Sequence, residues 1–241
     1  MIVNADVVGL EVATAAWLSQ DEVLLRELRN KVNIHSVNQE RFGLPTRLIA
    51  KTLKFRILYG GSAYAFSMDP QFKEVSTKVE YWEKVINEYY KKYQGLYLWH
   101  RKLVYEATTT RQVICPTGRF FRFEPKLNYK GEPVWPTTTI KNYPVQGTGA
   151  DLVSLARIEF YKKLRKEKLN DVVPVATVHD SIVVDCVSER VDDVSRLLHH
   201  SISSIPRLYA ERFGGELNVP ISAEVSVGPN FADLNDYPTT S

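Results

Sequence analysis

The chain has 241 residues, of which 44% are hydrophobic and 24% are charged, so it can bury the core of one large domain or two small ones. Its formal net charge of +3 permits a polyanionic partner without requiring one. The two cysteines, Cys115 and Cys186, form no CxxC pair, which argues against a disulfide framework or a thiolate zinc site and favours a reducing, intracellular setting. Residues 1–18 are too polar for a signal peptide or a membrane span, so we predict no membrane partner.

The first half of the chain predicts one strand followed by helices. The apolar residues within 2–13 indicate a buried strand that enters a helix. A helical pattern then covers residues 21–66, with a stop at Gly60-Gly61. Residues 76–110 are rich in Tyr and Trp and predict one or two long amphipathic helices.

The second half of the chain mixes strands with helices. Residues 111–139 predict short strands and a hairpin, and residues 146–169 predict a helix with a basic tail. The β-branched run at 172–187 predicts two strands joined at its central His-Asp. A helix at about 188–213 and a last strand near 221–227 follow. The order of these elements indicates an α+β fold.

The segment "RLIAKTLKFRILYGG" combines an apolar helical pattern with several cations. Each residue of a helix advances by about 100°, which places Arg47, Lys51 and Lys54 on one side together with Phe55 and Tyr59. Such a face suits a ligand that is anionic at one end and flat at the other, as a nucleotide is. The alternative is a solvated basic face with two aromatic rings in the core.

Two aspartates, Asp6 and Asp180, lie inside apolar runs that predict strands. Burying an unpaired carboxylate costs several kcal/mol, so each needs a cation, hydrogen bonds or a metal ion beside it. Mg²⁺ takes oxygen ligands, commonly one or two carboxylates with water and substrate phosphate, and two such ions about 4 Å apart serve phosphoryl transfer. The alternative is a pair of hydrogen-bonded aspartates at strand ends.

Four segments resemble, in the same order, motifs of the polymerase domain of family A DNA polymerases. They are "DVVGLEV" at 6–12, "RLIAKTLKFRILYGG" at 47–61, "NYPVQGTGADL" at 142–152 and "VHDS" at 178–181. The segment "ISAEVSVGPNF" is similar to that family's C-terminal end, so the likeness extends over about residues 2–232. The resemblance is to bacterial DNA polymerase I and its relatives, and we expect a phage or viral type.

The resemblance implies a right-hand polymerase fold of the α+β class without a thumb. An antiparallel palm sheet with helices would carry the first catalytic strand in residues 1–20. Residues 21–110 would form a mostly helical fingers subdomain. Residues 111–241 would return to the palm, with the second catalytic hairpin and a C-terminal strand.

The implied activity is template-directed DNA synthesis, in which deoxynucleotides pass from dNTP to a primer 3′ hydroxyl by a two-metal-ion mechanism. The catalytic residues would be Asp6, Asp180 and Lys51. Two Mg²⁺ ions, with Mn²⁺ as an alternative, would be bound by both aspartates and the backbone carbonyl of Val7. Arg47 and Lys51 would hold the triphosphate, with Lys51 nearest the pyrophosphate.

The remaining implied contacts concern the sugar, the base and the DNA. His35 would touch the phosphate tail, Phe55 and Tyr59 would form a floor under sugar and base, and Glu11 would exclude a ribose hydroxyl at C2′. The primer or template contacts would be Tyr59, Gly60, Asn142, Gln146 and His179, several of them reading the minor groove, where shared acceptors permit checking that is independent of sequence.

Five positions depart from the family pattern. The first motif has Ala13 where the family has Arg, and the helix motif has Lys54 and Arg56 where it has Asn and Gly. Thr138 stands in place of an Arg, and Ser181 stands in place of the Glu of His-Asp-Glu. The charges at 54 and 56 would either bind template or phosphate or be solvated. These departures affect efficiency and fidelity more than reaction type.

Two other functions fit part of the pattern. A fragment of a single-subunit RNA polymerase would share the Arg, Lys and Tyr-Gly positions of the helix and resemble His-Asp-Ser better, but Phe55, Glu11 and "QGTGAD" favour DNA synthesis. A catalytically silent nucleic-acid-binding module would explain the departures, but the retained aspartates and cations argue against it.

The expected partners are primer-template DNA, dNTP and a second polypeptide. The family's thumb, first palm segment and exonuclease precede its first motif, whereas Met1 here stands shortly before Asp6. We therefore expect either an excerpt of a longer chain or a polymerase divided between two chains, the second supplying thumb, N-terminal palm and exonuclease. The expected location is the cytoplasm of a bacterial host or an equivalent intracellular compartment.

Overall fold

The computed structural model describes residues 1–238 and has the α+β class that the sequence predicts. The strands are β1 Ile2–Val7, β2 Gln112–Ile114, β3 Phe120–Arg122, β4 Lys126–Leu127, β5 Pro133–Val134, β6 Val173–Val178, β7 Ser181–Asp185, β8 Ala223–Gly228 and β9 Asn235–Tyr237. The helices are α1 Leu10–Ser19, α2 Glu22–Arg29, α3 Ile34–Arg41, α4 Arg47–Leu58, α5 Ala63–Met68, α6 Pro70–Lys73, α7 Val79–Lys92, α8 Gln94–Thr110, α9 Thr137–Lys166, α10 Val191–Ser203 and α11 Ile205–Phe213, with a 3₁₀ turn at Ser188–Arg190.

The chain divides into two compact units. The first, the sheet unit, combines Met1–Thr14 with the segment that starts at Gly147, and the second, the helical unit, is Ala15–Gln146. The β2–β3 and β4–β5 hairpins belong to the helical unit. The assignment of residues 1–20 and 111–241 to a palm and of 21–110 to fingers stays a prediction, and residues 239–241 lie outside the described part of the chain.

An antiparallel sheet forms the sheet unit, with the strand order β6-β7-β1-β8-β9. Strand β1 is paired on both sides, so its backbone groups are satisfied by its two neighbours. Val3, Ala5 and Val7 are buried, and α10 packs against β1 and β8. Because side chains alternate along a strand, Asn4 and Asp6 lie on the opposite face, where they are only half-buried.

Strand β6 lies at an edge of this sheet among the described residues. Val173, Val175 and Val178 are each about half exposed, at 54%, 56% and 46%. The pairing with β7 shifts register between Pro174 and Ala176, as at a β-bulge. An exposed edge strand with apolar side chains is a surface to which another polypeptide can add.

A buried polar network and an aromatic cluster hold the helical unit together. Lys92 Nζ lies 2.8 Å from Glu27 Oε1, and the Tyr93 hydroxyl donates to Glu27 Oε2 at 2.7 Å, which ties α7 to α2. Lys92 and Tyr93 both donate to Asn38 Oδ1 of α3.

A separate aromatic cluster joins α5, α6 and α7. The centroids of its three buried rings lie 5.0 to 5.4 Å apart, and the rings belong to Phe66, Phe72 and Trp82.

Three elements differ from the sequence-based prediction. Helix α9 begins at Thr137 and not near residue 146, with Pro144 inside it, so the carbonyl of Ile140 lacks its usual intrahelical donor. The predicted helix at 188–213 is divided, because Pro206 cannot donate to the preceding turn and sits in the first turn of α11. Strand β9 was not predicted.

Helices that could span a bilayer are absent from residues 1–238, since none of them is both long and apolar enough.

His100 of α8 gives this unit a pH-dependent stability. Its side chain is 2% exposed, and Nδ1 lies 3.0 Å from the Tyr90 hydroxyl. Burial, with a smaller effect from Lys141, lowers the pKa of His100 from 6.5 to about 3. Between these values the unfolded chain binds a proton that the folded chain excludes, so lowering the pH through this window destabilises the fold by up to about 1.4 kcal/mol per pH unit.

We predict that His100→Gln removes this contribution, because Gln keeps a hydrogen-bonding side chain but does not titrate. The free energy of unfolding, measured by chemical denaturation between pH 6.5 and 4.5, should fall less steeply for the variant than for the wild-type protein. The wild-type protein, measured under the same conditions, is the reference. Equal slopes for wild type and His100→Gln would contradict the prediction.

Candidate functional site

The two aspartates that the sequence singles out belong to neighbouring strands of the central sheet. Asp6, near the end of β1, is paired with Ser181, the first residue of β7. The backbone N–H of Val7 donates to the carbonyl oxygen of Asp180 at 3.1 Å. The pairing of β1 with β7 therefore brings Asp6 beside the turn that carries Asp180.

The turn itself consists of His179 and Asp180, which join β6 to β7 because Val178 pairs with Ser181. His179 has a φ of 53°, in the left-handed region that two-residue hairpins need at their first turn position. His179 is exposed and Asp180 is half-buried. The His-Asp pair thus forms the turn of the predicted hairpin.

A third carboxylate approaches Asp6 from the other side. Glu224 of β8 is the register partner of Asp6, and residues directly opposite each other in an antiparallel pair share a face of the sheet. Burial raises the pKa of Asp6, and the negative charges of Asp180 and Glu224 raise it further. The site is therefore an electronegative surface that favours a cation.

The side chains at this site are suited to Mg²⁺ bound by two carboxylates, and not to a metal ion that is coordinated by protein ligands alone. Within residues 1–238, no group of three or more His, Cys, Asp or Glu side chains is arranged so that it could hold a metal ion by itself. Mg²⁺ is usually bound through only one or two carboxylates, with water and substrate phosphate completing its shell. Asp6 and Asp180, whose charges repel each other, match this requirement.

Glu11 lies after strand β1 in the chain and outside the strand itself. Strand β1 ends at Val7, Gly9 has a φ of 58°, and Glu11 lies in the first turn of α1, where a carboxylate interacts favourably with the helix N-terminus. Glu11 is half-buried. The strand, the glycine turn and the helix thus set the separation of Glu11 from Asp6.

In the helical unit, α4 presents the predicted cations Arg47 and Lys51 to solvent. The hydroxyl oxygen of Thr46 caps the helix by accepting from the N–H of Ile49 at 3.2 Å. Arg47 Nε lies 3.5 Å from Oδ1 of Asn33, the residue that caps α3. The starts of α3 and α4 are therefore held side by side.

His35, in the first turn of α3, lies next to these cations. Its ring centroid is 6.5 Å from that of Phe55. Burial, followed by the positive charges of Lys54, Arg47 and Lys51, lowers the pKa of His35 to about 4. His35 is therefore neutral at physiological pH, and it adds hydrogen-bonding capacity to a basic surface without adding charge.

Two of the departures from the family pattern have structural roles here. Lys54 is only 4% exposed and its Nζ lies 4.8 Å from the centre of the Phe55 ring, so the alternative in which its charge is solvated is wrong. The helix turns it toward the protein, beside His35. Arg56 forms an ion pair at 2.6 Å with Asp69, the residue that caps α6, and stacks over Phe72.

The end of α4 meets the start of α9 within the helical unit. Gln146 Nε2 donates to the Tyr59 hydroxyl at 2.8 Å. Gly60 has a φ of 78°, which favours glycine, and a Cβ on it would come within 2.7 Å of Cδ of the flexible Lys141 side chain. Asn142 is half-buried, and its Oδ1 has no hydrogen-bond partner among the described residues.

The predicted site residues thus fall into groups that the fold assembles within each unit. Asp6, Val7 and Asp180 meet through the pairing of β1 and β7. In the helical unit His35, Arg47, Lys51 and Phe55 form one group, and Tyr59, Gly60, Asn142 and Gln146 lie where α4 ends and α9 begins. Sequence reasoning missed Glu224, although its place in the alternating run "ISAEVSV" indicated an outward-facing strand position.

Comparisons with known proteins agree with these motifs. The family model described as DNA polymerase family A matches residues 1–233. The thermostable DNA polymerase I of Thermus aquaticus is 27% identical in an alignment of 246 positions, gaps included, and the alignment covers 98% of this chain and 27% of that protein. DNA polymerase I of Aquifex aeolicus is 26% identical over 231 residues, covering 92% of this chain and 38% of that protein.

A solved structure shares the fold. It is the POL domain of Pol1 from M. smegmatis in complex with DNA primer-template and dNTP, with a TM-score of 0.78 and 21% identity, covering 94% of this chain and 39% of that one. The chain spans about a quarter of the length of the Thermus aquaticus relative. The family model extends over nearly the whole sequence, which confirms the predicted family. This chain therefore belongs to DNA polymerase family A.

Proposed function

We propose that this chain carries out template-directed DNA synthesis, in which deoxynucleotides are transferred from dNTP to the 3′ hydroxyl of a primer. The observation that carries the proposal is the position of Asp6 beside the turn of Asp180, in a chain of DNA polymerase family A. The same arrangement of carboxylates would have no purpose in a module that only binds nucleic acid, because negative charge there repels phosphate.

The proposed metal ligands are Asp6, Asp180 and the backbone carbonyl of Val7. Two Mg²⁺ ions, or Mn²⁺ in their place, would supply positive charge for the attacking and leaving oxygens of the transfer. The raised pKa of Asp6 supports this assignment, since a cation relieves the repulsion that Asp180 and Glu224 impose on it.

The proposed triphosphate contacts lie on α4 and α3. Arg47 and Lys51 are exposed cations that would hold the phosphates, and neutral His35 would donate a hydrogen bond to the phosphate tail. Phe55 and Tyr59 would support the sugar and base. The caps of α3 and α4 fix the backbone at the helix starts that carry His35 and Arg47.

The transfer itself would be an in-line displacement. The primer 3′ oxygen forms a bond to the α-phosphorus, its proton passes to solvent, and the bond from the α-phosphorus to the bridging oxygen breaks to release pyrophosphate. Lys51 would stabilise the charge that grows on the leaving phosphates. Tyr59, Gly60, Asn142, Gln146 and His179 are the proposed contacts to primer and template.

Further polypeptide, from a longer chain or from a second one, is proposed to complete the polymerase with the thumb, the N-terminal palm and an exonuclease. The exposed edge of β6 supports this proposal, because another polypeptide could pair with it. The proposal is also supported by the comparison with the Thermus aquaticus relative, because this chain matches only about a quarter of that protein's length.

Primer extension on a primed DNA template tests the proposed activity. The purified chain should extend poorly alone, and extension should rise when the rest of a family A polymerase domain is supplied. In that complex, Lys51→Ala should lower the rate of nucleotide addition by about 10²- to 10³-fold, because the charge it stabilises grows in the transition state. Arg47→Ala should mainly raise the KM for dNTP.

Lys84→Ala is the control, because it removes an exposed cation of α7 outside the proposed site. Wild-type rates for both Lys51→Ala and Arg47→Ala in an active complex would remove α4 from the mechanism. Preference for ribonucleotides over deoxynucleotides on the same template would favour an RNA polymerase instead. Magnesium-independent DNA binding with no extension in any arrangement would indicate a silent binding module.

We predict that Glu224→Gln weakens the binding of Mn²⁺, used as a probe for Mg²⁺, by on the order of tenfold, because the carboxylate opposite Asp6 adds negative charge to the site. Free Mn²⁺ can be followed by electron paramagnetic resonance without DNA or nucleotide. Glu189→Gln makes the same charge change beyond the far end of β7, where Asp185 pairs with Ile2, and should leave affinity unchanged. Equal losses in both variants would refute a local role for Glu224.

Glu11 is proposed to select the sugar by filling the space beneath C2′. Glu11→Ala should therefore relax discrimination against ribonucleotides by roughly tenfold or more, with some loss of rate, in the competent complex. Glu11→Gln preserves the volume of the side chain and should retain most of the discrimination. If single-nucleotide incorporation shows the same ratio of dNTP to rNTP use in wild type and Glu11→Ala, the sugar is selected elsewhere.

A further inference from the structure

We propose that a pocket in the helical unit, here called the α7–α8 pocket, binds one unpaired nucleotide of a single-stranded DNA template. The cavity has a volume of about 420 Å³, which is large enough for a nucleobase with its sugar. Its walls come from α7, α8 and the first turn of α9. Its lining includes Tyr90, Tyr97, His100, Arg101, Tyr105 and Lys141.

Aromatic rings form much of this pocket. The centroids of Tyr90 and Tyr97 are 5.3 Å apart with a tilt of 56°, and Tyr90 meets His100 edge-on at 5.9 Å. Tyr105 is 71% exposed and Tyr97 is 40% exposed, so a large part of each side chain is accessible to a ligand. Exposed aromatic faces in a cleft are the feature on which single-stranded nucleic acids stack their bases, with little dependence on sequence.

Cations complete the chemistry that a nucleotide requires. The Arg101 guanidinium lies 5.8 Å from the centre of the Tyr97 ring, so charge and a flat surface occur together. Lys141 lines the same pocket. The described residues that line it include no carboxylate, and His100 is neutral at physiological pH. A phosphate would therefore meet only positive or neutral groups there, whereas an acidic residue would repel it.

The internal wall is fixed before any ligand binds. The contact between the Tyr90 hydroxyl and His100 Nδ1 at 3.0 Å holds both rings, and His100 is almost fully buried. The rings therefore lose little conformational freedom on binding. A wall that is already ordered distinguishes this pocket from a solvated patch of mobile tyrosines.

The pocket lies next to the end of α4, because Lys141 belongs to its lining and also contacts the segment that follows this helix. The Lys141 side chain lies against Gly60, where an added Cβ would come within 2.7 Å of its Cδ. Gly60 directly follows Tyr59, and both residues are among the proposed contacts to primer and template. The assignment to the template strand rests on that proposed function, and it predicts that an unpaired nucleotide of the template passes from Tyr59 over Lys141 into the pocket.

Tyr105→Ala and Arg101→Ala test the inference, because both side chains are exposed and their removal leaves the buried wall in place. Affinity is measured by fluorescence anisotropy for a duplex with a 5′ template overhang of thymidines and for the same duplex with blunt ends, without metal ion or dNTP. Each variant should lose about tenfold in affinity for the overhang DNA and less than twofold for the blunt duplex.

Tyr129→Ala is the matched control, since Tyr129 is an exposed tyrosine of the β4–β5 hairpin outside the pocket. It should leave both affinities unchanged. Unchanged overhang affinity for Tyr105→Ala and Arg101→Ala would overturn the inference, as would an equal loss for the blunt duplex or for Tyr129→Ala. Because the assay needs no synthesis, its outcome is independent of primer extension, so failure of this inference and failure of the proposed function can be told apart.

Discussion

The pairing of β1 with neighbours on both sides is the constraint on which the sheet unit depends. In a strand with a period of two, a slip of one residue would exchange Asp6 for Ala5 or Val7 and move a charge into the packed face. The apolar residues of β1 against α10 prevent such a slip. The same register decides which side chains flank Asp6, so packing on one face of the sheet sets the chemistry of the other.

The helical unit depends on a buried charge in a comparable way. Glu27 and Lys92 are compensated by each other and by Tyr93 and Asn38, and loss of one partner would leave the other charge unpaired away from water. Because Asn38 belongs to α3, this network anchors the helix that carries His35. The position of the basic surface on α3 and α4 therefore rests on contacts that never touch a ligand.

Local patterns in the sequence were sufficient for most of the elements and for the family. The alternation of β1, the cations of α4 and the His-Asp turn are each readable within a few residues. Features that depend on non-local packing were not readable. Helix α9 continues through Pro144 because the surrounding structure tolerates one lost hydrogen bond, and the burial of Lys54 follows from how α4 packs and not from its periodicity. Glu224 needs the pairing of β8 with β1, which no local pattern reveals.

The presence of Ser181 in place of the family's Glu changes the charges that surround Asp6 in this sheet. Ser181 and Glu224 are the two register partners of Asp6, one on β7 and one on β8. The family pattern has a Glu where Ser181 stands, so this chain lacks a carboxylate at the β7 register partner of Asp6 and has one, Glu224, at the β8 register partner. The pKa of Asp6 is raised first by burial and then by Asp180, and Glu224 adds a smaller contribution in the same direction. Because the electrostatic field at a carboxylate depends on how near a charge lies and not on which strand carries it, charges on either neighbour of β1 can influence Asp6.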